Sequence, residues 1–324
     1  MARWSSAIGL TAVVVGAVAT LGRAGIPPLT FRAYADTGIP LTDVLWTGSR
    51  FLYVENTTNA VWQADAAGAP IAPFASMPRE VEETRCVLSP GAHGFPAGAI
   101  FCHAPDNTVY RISRDGSSVD VFARLPEAAT SDGALGFDDV GKFGYALIAA
   151  TGRSGAPEPA GGTVYAVGPD ASVRRIGDYA GPGGADELVV APARFGTGAG
   201  NVVLTVDPGA DSGTLVMMDA EGVTRTIARL PTGPNPIAVV RSAPKRPRTS
   251  PPPGLYVTDT NTHTLWFTPA SRLARYAGDL VVGGEAKPLF WIVEPRGRGF
   301  RTFQVQARVP ATGTSFEGAT YVRG

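Results

Sequence analysis

The sequence predicts an all-β fold, a β-propeller of four-stranded blades, and the observation that carries this prediction is a degenerate internal repeat. A paired-strand unit recurs between Phe51 and Val305. Each copy contains an apolar strand, a polar turn and a second strand, usually followed by a third strand that ends at Leu-Pro or a similar break. Repeats of this length and pattern are typical of propellers and solenoids. The clear copies are Phe51–Pro78, Ala99–Pro126, Tyr145–Tyr179 and Asn201–Pro231, and weaker copies begin at Leu255 and Asp279.

Composition agrees with a turn-rich and strand-rich globular protein. The 324 residues include 40 glycines and 28 prolines, and the 17% charged and 44% hydrophobic shares exclude a disordered chain. Alternating apolar runs between turn residues, without a sustained helical period, indicate strands. A formal net charge of zero, without a stripe of basic and aromatic residues, argues against nucleic-acid binding.

A short apolar segment precedes each paired-strand unit and supplies the first strand of a blade. Counting the paired strands predicts six blades, with five and seven as the alternatives. The interval between the units at Leu255 and Asp279 is too short for a complete blade, so we expect blade five or six to be truncated or rearranged. The first strands are predicted at Leu41–Trp46, Glu83–Leu88, Gly133–Phe137, Glu187–Val190 and Pro236–Val240.

The two ends of the chain are expected to close the ring. The segment Leu29–Gly38 resembles the outer strands of later blades, such as Asp120–Leu125, and we expect it to pair with C-terminal strands. Closure by the termini removes open sheet edges and favours one domain over residues 25–324 that is stable as a monomer. Within that domain, the proline-rich and basic segment Arg241–Gly254 is expected to form a surface loop.

The first 24 residues are interpreted as a signal peptide. Arg3 supplies a positive charge, Ala7–Leu21 is almost continuously apolar, and Ala17-Val18-Ala19 is a small-x-small cleavage site. The alternative is an uncleaved anchor helix, although the apolar run is shorter than the about 20 residues that span a bilayer. Either way, we expect an exported domain, periplasmic or extracellular, with no membrane span in the mature chain.

Export makes the two cysteines candidates for a disulfide. Cys86 and Cys102 lie in consecutive predicted strands of one blade, where antiparallel pairing brings Cβ atoms within bonding range. The alternative is a pair of buried free thiols. Neither arrangement implies redox chemistry, since the sequence has no Cys-x-x-Cys.

A carboxylate or amide side chain stands at the start of each predicted inner strand. If these strands line the central channel, their first residues converge at one mouth, where a cation would relieve the repulsion between carboxylates. Calcium takes about six to eight oxygen ligands, so an oxygen-only ring favours Ca²⁺ or another divalent cation over zinc. The alternative is that each side chain accepts backbone hydrogen bonds in its own turn. The residues are Asp43, Glu83, Asp132, Asp186, Asn235 and Glu317.

Three of these positions carry a resemblance to a known family, the senescence-marker-protein, gluconolactonase and strictosidine-synthase-like propellers with their NHL-repeat relatives. The motifs that resemble this family are Glu317-Gly318-Ala319, Pro234-Asn235 and Asp186. The resemblance implies a divalent metal in the channel, with metal ligands at Glu317, Asn235, Asp186 and Asp132. It also implies a lactonase or esterase activity, in which the metal polarises a carbonyl and Asp186 or Asp132 acts as general base.

The sequence leaves two functions open. The residues favour an exported, non-catalytic propeller that binds a ligand, an envelope component or a protein partner at its channel mouth or loops, because Pro236 follows Asn235 where the family has glycine. The alternative is a metal-dependent, calcium-type hydrolase of the gluconolactonase type. Other catalytic patterns are missing from the sequence, since it has no Gly-x-Ser-x-Gly. The three histidines lack metal-ligand spacing and are expected in or beside turns; they are His93, His103 and His263.

Overall fold

The computed structural model describes residues 27–58, 60–78, 83–126, 133–152, 161–181, 183–208, 211–242 and 250–323. The predicted signal peptide, residues 1–24, lies outside them. Within the described residues, six four-stranded antiparallel sheets form the blades of a propeller, and one further pair of short strands is parallel. The prediction of an all-β, six-bladed propeller is confirmed. None of the helical turns in that part of the chain has the length and hydropathy of a membrane span.

Blades 1 to 4 each contain four strands that follow one another along the chain, from the channel outwards. They come after two N-terminal strands, β1 (Leu29–Thr30) and β2 (Arg32–Asp36). Blade 1 contains β3 (Leu41–Trp46), β4 (Phe51–Glu55), β5 (Ala60–Ala64) and β6 (Pro70–Ser76). Blade 2 contains β7 (Arg85–Leu88), β8 (Ile100–Ala104), β9 (Thr108–Ile112) and β10 (Val119–Arg124). Blade 3 contains β11 (Gly133–Phe137), β12 (Leu147–Gly152), β13 (Gly162–Val167) and β14 (Val173–Tyr179). Blade 4 contains β15 (Gly184–Val190), β16 (Val202–Asp207), β17 (Gly213–Met218) and β18 (Thr224–Leu230).

Blades 5 and 6 exchange strands. The inner strand of blade 5, β19 (Pro234–Val239), leads into the two middle strands of blade 6, β20 (Gly254–Asp259) and β21 (Thr264–Pro269). A helical turn, α1 (Ala270–Leu273), precedes the return to blade 5. The strands that complete blade 5 are β22 (Leu280–Gly284), β23 (Phe290–Arg296) and β24 (Gly299–Val305). The last two strands are β25 (Ala307–Arg308), paired with β1, and β26 (Phe316–Val322), the inner strand of blade 6.

This exchange explains the short interval between the units at Leu255 and Asp279. The unit at Leu255 consists of β20 and β21, the two middle strands of blade 6. The inner strand of that blade, β26, and its outer strand, β2, come from distant parts of the sequence. The sequence assigns Pro236–Val240 to the unit that follows it, and that assignment is wrong, since β19 pairs with β22. Of the predicted loop at 241–254, residues 243–249 lie outside the described residues, and Gly254 already begins β20.

The N-terminal segment closes the ring, as the sequence predicts. β2 is the outer strand of blade 6, with Arg32 opposite Phe267 in the antiparallel ladder with β21. Between β1 and β2, the buried Phe31 stacks on Phe290 of blade 5, with ring centroids 4.7 Å apart. The N-terminal strands therefore contact both of the blades that exchange strands.

Hydrophobic clusters fill the spaces between neighbouring blades. Within the described residues, each cluster combines side chains from two adjacent blades, and together the clusters cover all six interfaces. Alternate residues of one strand belong to different interfaces: Leu52 and Val54 pack against blade 2, whereas Phe51 and Tyr53 pack against blade 6. Because side chains alternate across a strand, strands covered on both faces are apolar throughout. This requirement produces the repeat that is visible in the sequence.

The predicted disulfide is present between β7 and β8. Cys86 and Cys102 lie directly opposite each other in the ladder, are both buried, and have their Sγ atoms 2.09 Å apart. The bond joins the inner strand of blade 2 to its neighbour, next to the residue that begins the inner strand.

We expect the disulfide to stabilise the protein against unfolding. Its cysteines are 16 positions apart, and closing a loop of that length contributes about 3 kcal/mol in the chain-entropy model. The Cys86→Ala/Cys102→Ala variant should therefore lose about 3 kcal/mol of unfolding free energy in a urea titration. Adding a thiol reductant should lower the midpoint of the wild type and leave that of the variant unchanged. Equal midpoints for the oxidised wild type and the variant would contradict the prediction.

Candidate functional site

The inner strands of the six blades surround the central channel. Neighbouring inner strands contact each other in the order β3, β7, β11, β15, β19, β26 and back to β3. Residues at the beginnings of five of these strands contact one another through the side chain of Arg85. The starts of these strands therefore converge at one end of the channel.

Arg85, the first residue of β7, extends across that end of the channel. Its residue surface is only 3% exposed. Nε donates to the carbonyl oxygen of Asp186 at 3.1 Å, and Nη1 donates to that of Thr42 at 2.5 Å. Nη2 donates to Asn235 Oδ1 at 3.1 Å and to Glu317 Oε2 at 3.0 Å. One guanidinium from blade 2 thus joins the inner strands of blades 4, 1, 5 and 6.

Glu317 and Asn235 form the second part of this network. Asn235 Nδ2 donates to Glu317 Oε2 at 2.6 Å, so this oxygen accepts from the amide and from Arg85. The next residue, Gly318, allows β26 to pack closely on β3, because a Cβ at this position would lie 2.6 Å from the Cα of Asp43. The Glu-Gly pair thus combines a buried acceptor with a close approach of two blades.

Asp43 and Glu187 add two buried carboxyl groups beside the network. Asp43 accepts the backbone N–H of Val44 at 2.7 Å and that of Cys86 at 2.9 Å. The second of these bonds connects blade 1 to blade 2. Glu187 Oε1 lies 3.8 Å from Arg85 Nε, so it pairs with the guanidinium more loosely than Glu317 does.

The network contains more acidic groups than basic ones. Burial raises the pKa of Glu317 to about 7, although Arg85 opposes the shift, and burial raises that of Asp43 to about 6. Burial and the charge of Asp43 raise the pKa of Glu187 well above its ordinary value. Burial alone would lower the pKa of Arg85, but the surrounding carboxylates raise it, so the guanidinium stays protonated. At neutral pH the cluster therefore holds protons on part of its carboxyl groups.

The structure brings together some of the predicted site residues. Glu317 and Asn235 are hydrogen-bonded to each other and to Arg85, and Asp186 contributes its carbonyl oxygen to the same guanidinium. Asp132 lies outside the described residues. Glu83 precedes β7 in a turn with a φ of 59° and is not part of the strand that the sequence predicts from it.

The arrangement of these side chains does not fit a divalent cation. The Glu317 and Asn235 oxygens that the metal would need are hydrogen-bonded to a permanently charged guanidinium. A metal ion in the same place would have to displace Arg85, since two cations cannot share these oxygens without strong repulsion. Among the described residues, no group of three or more His, Cys, Asp or Glu side chains is arranged to hold a metal ion.

Sequence reasoning missed the two residues that complete the cluster, Arg85 and Glu187. The available signal was a lone arginine in the otherwise uncharged strand segment Thr84–Leu88, opposite a predicted ring of carboxylates. His103 lies in β8, two residues before the turn at 105–107, and is paired in register with Arg85. Burial lowers the pKa of His103 to about 4, which keeps it neutral.

A cavity of about 420 Å³ lies in the channel beside the Arg85 network. Its lining comes from all six inner strands, at positions that follow the converging strand starts. Asp43 and Glu187 mark its inner end, nearest to Arg85. Most of the remaining lining residues are apolar, although polar atoms, many of them of the backbone, form about half of the surface that faces the cavity; the apolar residues include Leu45, Trp46, Leu88, Leu135, Leu188, Val189, Ile237 and Ala319.

The opposite end of the cavity carries basic side chains. Arg241 and Arg323 line it there, each just after the end of an inner strand. Arg241 Nη2 lies 3.6 Å from Asp139 Oδ2. Burial lowers the pKa of Arg241, and the nearby charge of Arg323 adds to this effect. The channel thus has acidic side chains at one end, mainly apolar residues along its walls and basic side chains at its rim.

Comparison with known proteins finds similarity only among solved structures. No family model matches the chain, and no curated protein matches it. A protein assigned as a 6-phosphogluconolactonase from Bacteroides fragilis NCTC 9343 is 11% identical, with a TM-score of 0.47 over 86% of this chain and 72% of that one. A similarly assigned protein from Bacteroides uniformis ATCC 8492 gives 12% identity and a TM-score of 0.38, covering 59% of this chain and 54% of that one.

A third similar structure is an oligogalacturonate lyase in complex with manganese, at 13% identity and a TM-score of 0.41, covering 85% of this chain and 72% of that one. Of the B. uniformis protein, by contrast, the chain spans little more than half the length. At these identities and TM-scores the likenesses carry no argument about function. The resemblance to the gluconolactonase-like family stays a prediction beyond the propeller fold itself.

We predict that Arg85 stabilises the fold more than any exposed arginine does. Removing one partner of a buried ion pair typically costs about 3–5 kcal/mol, because the other charge is left without compensation. Arg85→Met should therefore lower the unfolding free energy by about that amount, and Glu317→Gln in the same chain should recover part of the loss. The matched control is Arg174→Gln on the outer strand β14, which should change stability by less than about 0.5 kcal/mol. A small effect of Arg85→Met would contradict the network's structural role.

We also predict that Glu317 makes the folded state less stable as the pH rises towards neutral. Between the ordinary pKa of 4.5 and its raised value of about 7, the folded protein retains a proton that the unfolded chain releases. Unfolding free energy should then fall by about 1.4 kcal/mol per pH unit for each retained proton.

The measurement is a urea titration of wild type and Glu317→Gln at several pH values and fixed ionic strength. His103 contributes with the opposite sign, because its pKa is lowered and the unfolded chain binds the extra proton. The wild-type value minus the variant value removes the contribution of His103, leaves that of Glu317 and of the carboxyl groups that depend on its charge, and should decrease from pH 5 to pH 7.5. A difference that does not depend on pH would disprove the assignment.

Proposed function

We propose that this chain is a non-catalytic propeller that binds a small organic molecule in the cavity of its central channel. The observation that carries the proposal is the cavity of about 420 Å³ that all six inner strands form beside the Arg85 network. Small-molecule sites usually occupy about 300–1,000 Å³ and are lined by apolar side chains with a few polar groups. This cavity falls in that range of volume, and apolar residues predominate among those that line it, with polar backbone atoms exposed between them.

The positions of Asp186, predicted as a catalytic residue, and of the predicted metal ligands Glu317 and Asn235 support binding over catalysis. Glu317, Asn235 and Asp186 do not line the cavity, whereas Asp43 and Glu187 do. The side chains of Glu317 and Asn235 are directed to Arg85 and to each other. A molecule in the cavity would therefore contact the side chains and backbone of the inner strands, and Glu317, Asn235 and Asp186 would remain behind it.

We propose further that the protein is exported and monomeric. The Cys86–Cys102 disulfide supports export, because disulfides persist in oxidising compartments. The N-terminal strand β2 pairs within blade 6 and supports a ring that is complete in one chain. The periplasm and the extracellular space are both consistent with these features.

A second candidate function is hydrolysis of a lactone or a related ester. Asp43 and Glu187 favour it, because both line the cavity and both have raised pKa values. A carboxyl group that keeps its proton can act as a general acid, and its ionised neighbour can act as a base. The metal-dependent version, with Glu317, Asn235, Asp186 and Asp132 as ligands, requires that Arg85 first leave the oxygens that it contacts.

We expect the cavity to bind a neutral apolar fluorophore such as Nile red. Ala319→Phe adds a ring to the lining and should weaken binding by about tenfold, equivalent to 1.4 kcal/mol. The matched control is Val121→Phe on the exposed face of β10, outside the cavity, which should leave the affinity unchanged. Fluorescence titration measures both, and equal affinities for the wild type and Ala319→Phe would exclude the cavity as the binding site.

The second candidate is tested on the same proteins with a panel of lactones and aryl esters. Initial rates are measured with and without a chelator, and again with Glu187→Gln. If the wild type hydrolyses a substrate, Glu187→Gln abolishes the activity and the chelator does not, the binding proposal is replaced by metal-independent hydrolysis. If the chelator abolishes the activity and Glu187→Gln does not, the metal-dependent version is favoured.

A further inference from the structure

The rim of the channel cavity carries two arginines in a fixed relation to each other. Arg241 follows the end of β19 by two residues, and Arg323 directly follows β26. These two inner strands are neighbours in the ring, so the arginines stand side by side at the same end of the channel. Both also line the cavity.

The charge of this pair is only partly compensated by the residues that line the cavity. Asp139 is the acidic side chain at the rim, and its Oδ2 lies 3.6 Å from Arg241 Nη2. Two guanidinium groups opposite one carboxylate leave a net positive charge at the opening. The other acidic groups of the lining, Asp43 and Glu187, are at the far end beside Arg85.

Tyr321 provides a separate indication that a polar ligand atom belongs near the rim. It lines the cavity two residues before Arg323. In the described part of the chain, its hydroxyl group is buried and has no hydrogen-bond partner. A buried hydroxyl without a partner is costly unless a ligand or a water molecule satisfies it.

We propose that the ligand is an amphipathic organic monoanion, with its carboxylate or phosphate at Arg241, Arg323 and Tyr321 and its apolar body along the channel walls. This inference rests on the proposed function and specifies the ligand of the same cavity. Arginine pairs with planar carboxylates and with phosphates through charge-assisted hydrogen bonds. The apolar lining between rim and inner end accepts the remainder of the molecule.

The acidic inner end sets the orientation and limits the ligand to one charge. From Glu187 to Val190 the strand rises about 10 Å, at about 3.3 Å per residue. An apolar chain that begins at the rim therefore ends close to Asp43 and Glu187. A second anionic group at that end would meet the carboxyl groups of Asp43 and Glu187, and the nearby Arg85 already donates to four acceptors. A dianion of the same length should therefore bind worse than the monoanion.

The test compares three ligands that share one chain length: octanoate, the neutral octanamide and the dianion octanedioate. Isothermal titration calorimetry on the full chain should show octanoate binding about tenfold more tightly than either of the others, as expected for one charge-assisted contact. Arg241→Gln and Arg323→Gln should each remove most of that preference, and high salt should reduce it. Tyr321→Phe should weaken octanoate binding as well.

Arg174→Gln on the outer strand β14 is the matched control and should keep the full preference for octanoate. Thermal unfolding of each variant confirms that it is folded, and Arg323 is exposed, so its replacement leaves the core intact. Equal affinities for octanoate and octanamide, or a preference that both rim variants retain, would overturn the monoanion inference. If Nile red still binds and Ala319→Phe still weakens its binding, the proposal that small molecules bind in the cavity is retained. Loss of binding for every probe would overturn the proposed function.

Discussion

The hydrogen bonds of the Arg85 guanidinium hold the inner ring of the propeller together. Inner strands begin with acidic or amide side chains at one end of the channel, and their mutual repulsion would otherwise favour separation of the blades. Arg85 places one fixed cation among them and uses its planar set of donors on two carbonyl oxygens, one amide oxygen and one carboxylate. Because these acceptors belong to four other blades, the position of each of those inner strands depends on the same side chain. A metal ion at this end of the channel would need comparable oxygens. The arginine and a metal ion are therefore alternative ways of compensating the negative charge of the same acidic side chains.

The network also divides the channel into two environments. On one side, buried carboxyl groups outnumber the guanidinium, and their protonation makes up part of the difference. On the other side, apolar residues of the same inner strands leave a cavity, and the strands then end at basic residues. The direction of the strands sets this gradient, because equivalent positions of all inner strands lie at the same depth. A propeller channel therefore acquires polarity along its axis from the order of residues in a short repeated segment.

Much of the fold could be predicted because the packing between blades imposes a strong pattern. Residues such as Phe51 and Leu52 face different neighbours and must both be apolar, which makes each blade strand visible in the sequence. The strand exchange between blades 5 and 6 was visible in the sequence only as the short interval between the repeat units at Leu255 and Asp279. Strands that pair far apart in sequence leave no local pattern that identifies their partners. In the site, Glu317 and Asn235 could be found from their place at strand starts. Arg85 stands out in the sequence as a lone charge in an apolar strand, but its partners could not be predicted, because one polar residue in a strand does not show which of the other blades it reaches.

The strand exchange has a consequence for how the chain is made. Synthesis begins at the N-terminus, and blades 1 to 4 are each made of consecutive segments, so all four strands of one blade are available before the next blade emerges. Strand β2 has no antiparallel partner until β21 has been made, and blade 6 remains without its inner strand until β26, the last strand of the described residues, has been produced. A chain that stops before residue 316 therefore leaves blade 6 with an open edge on the channel side. In the closed ring, neither blade 5 nor blade 6 can detach by itself, because the chain passes from one to the other and back before either is complete.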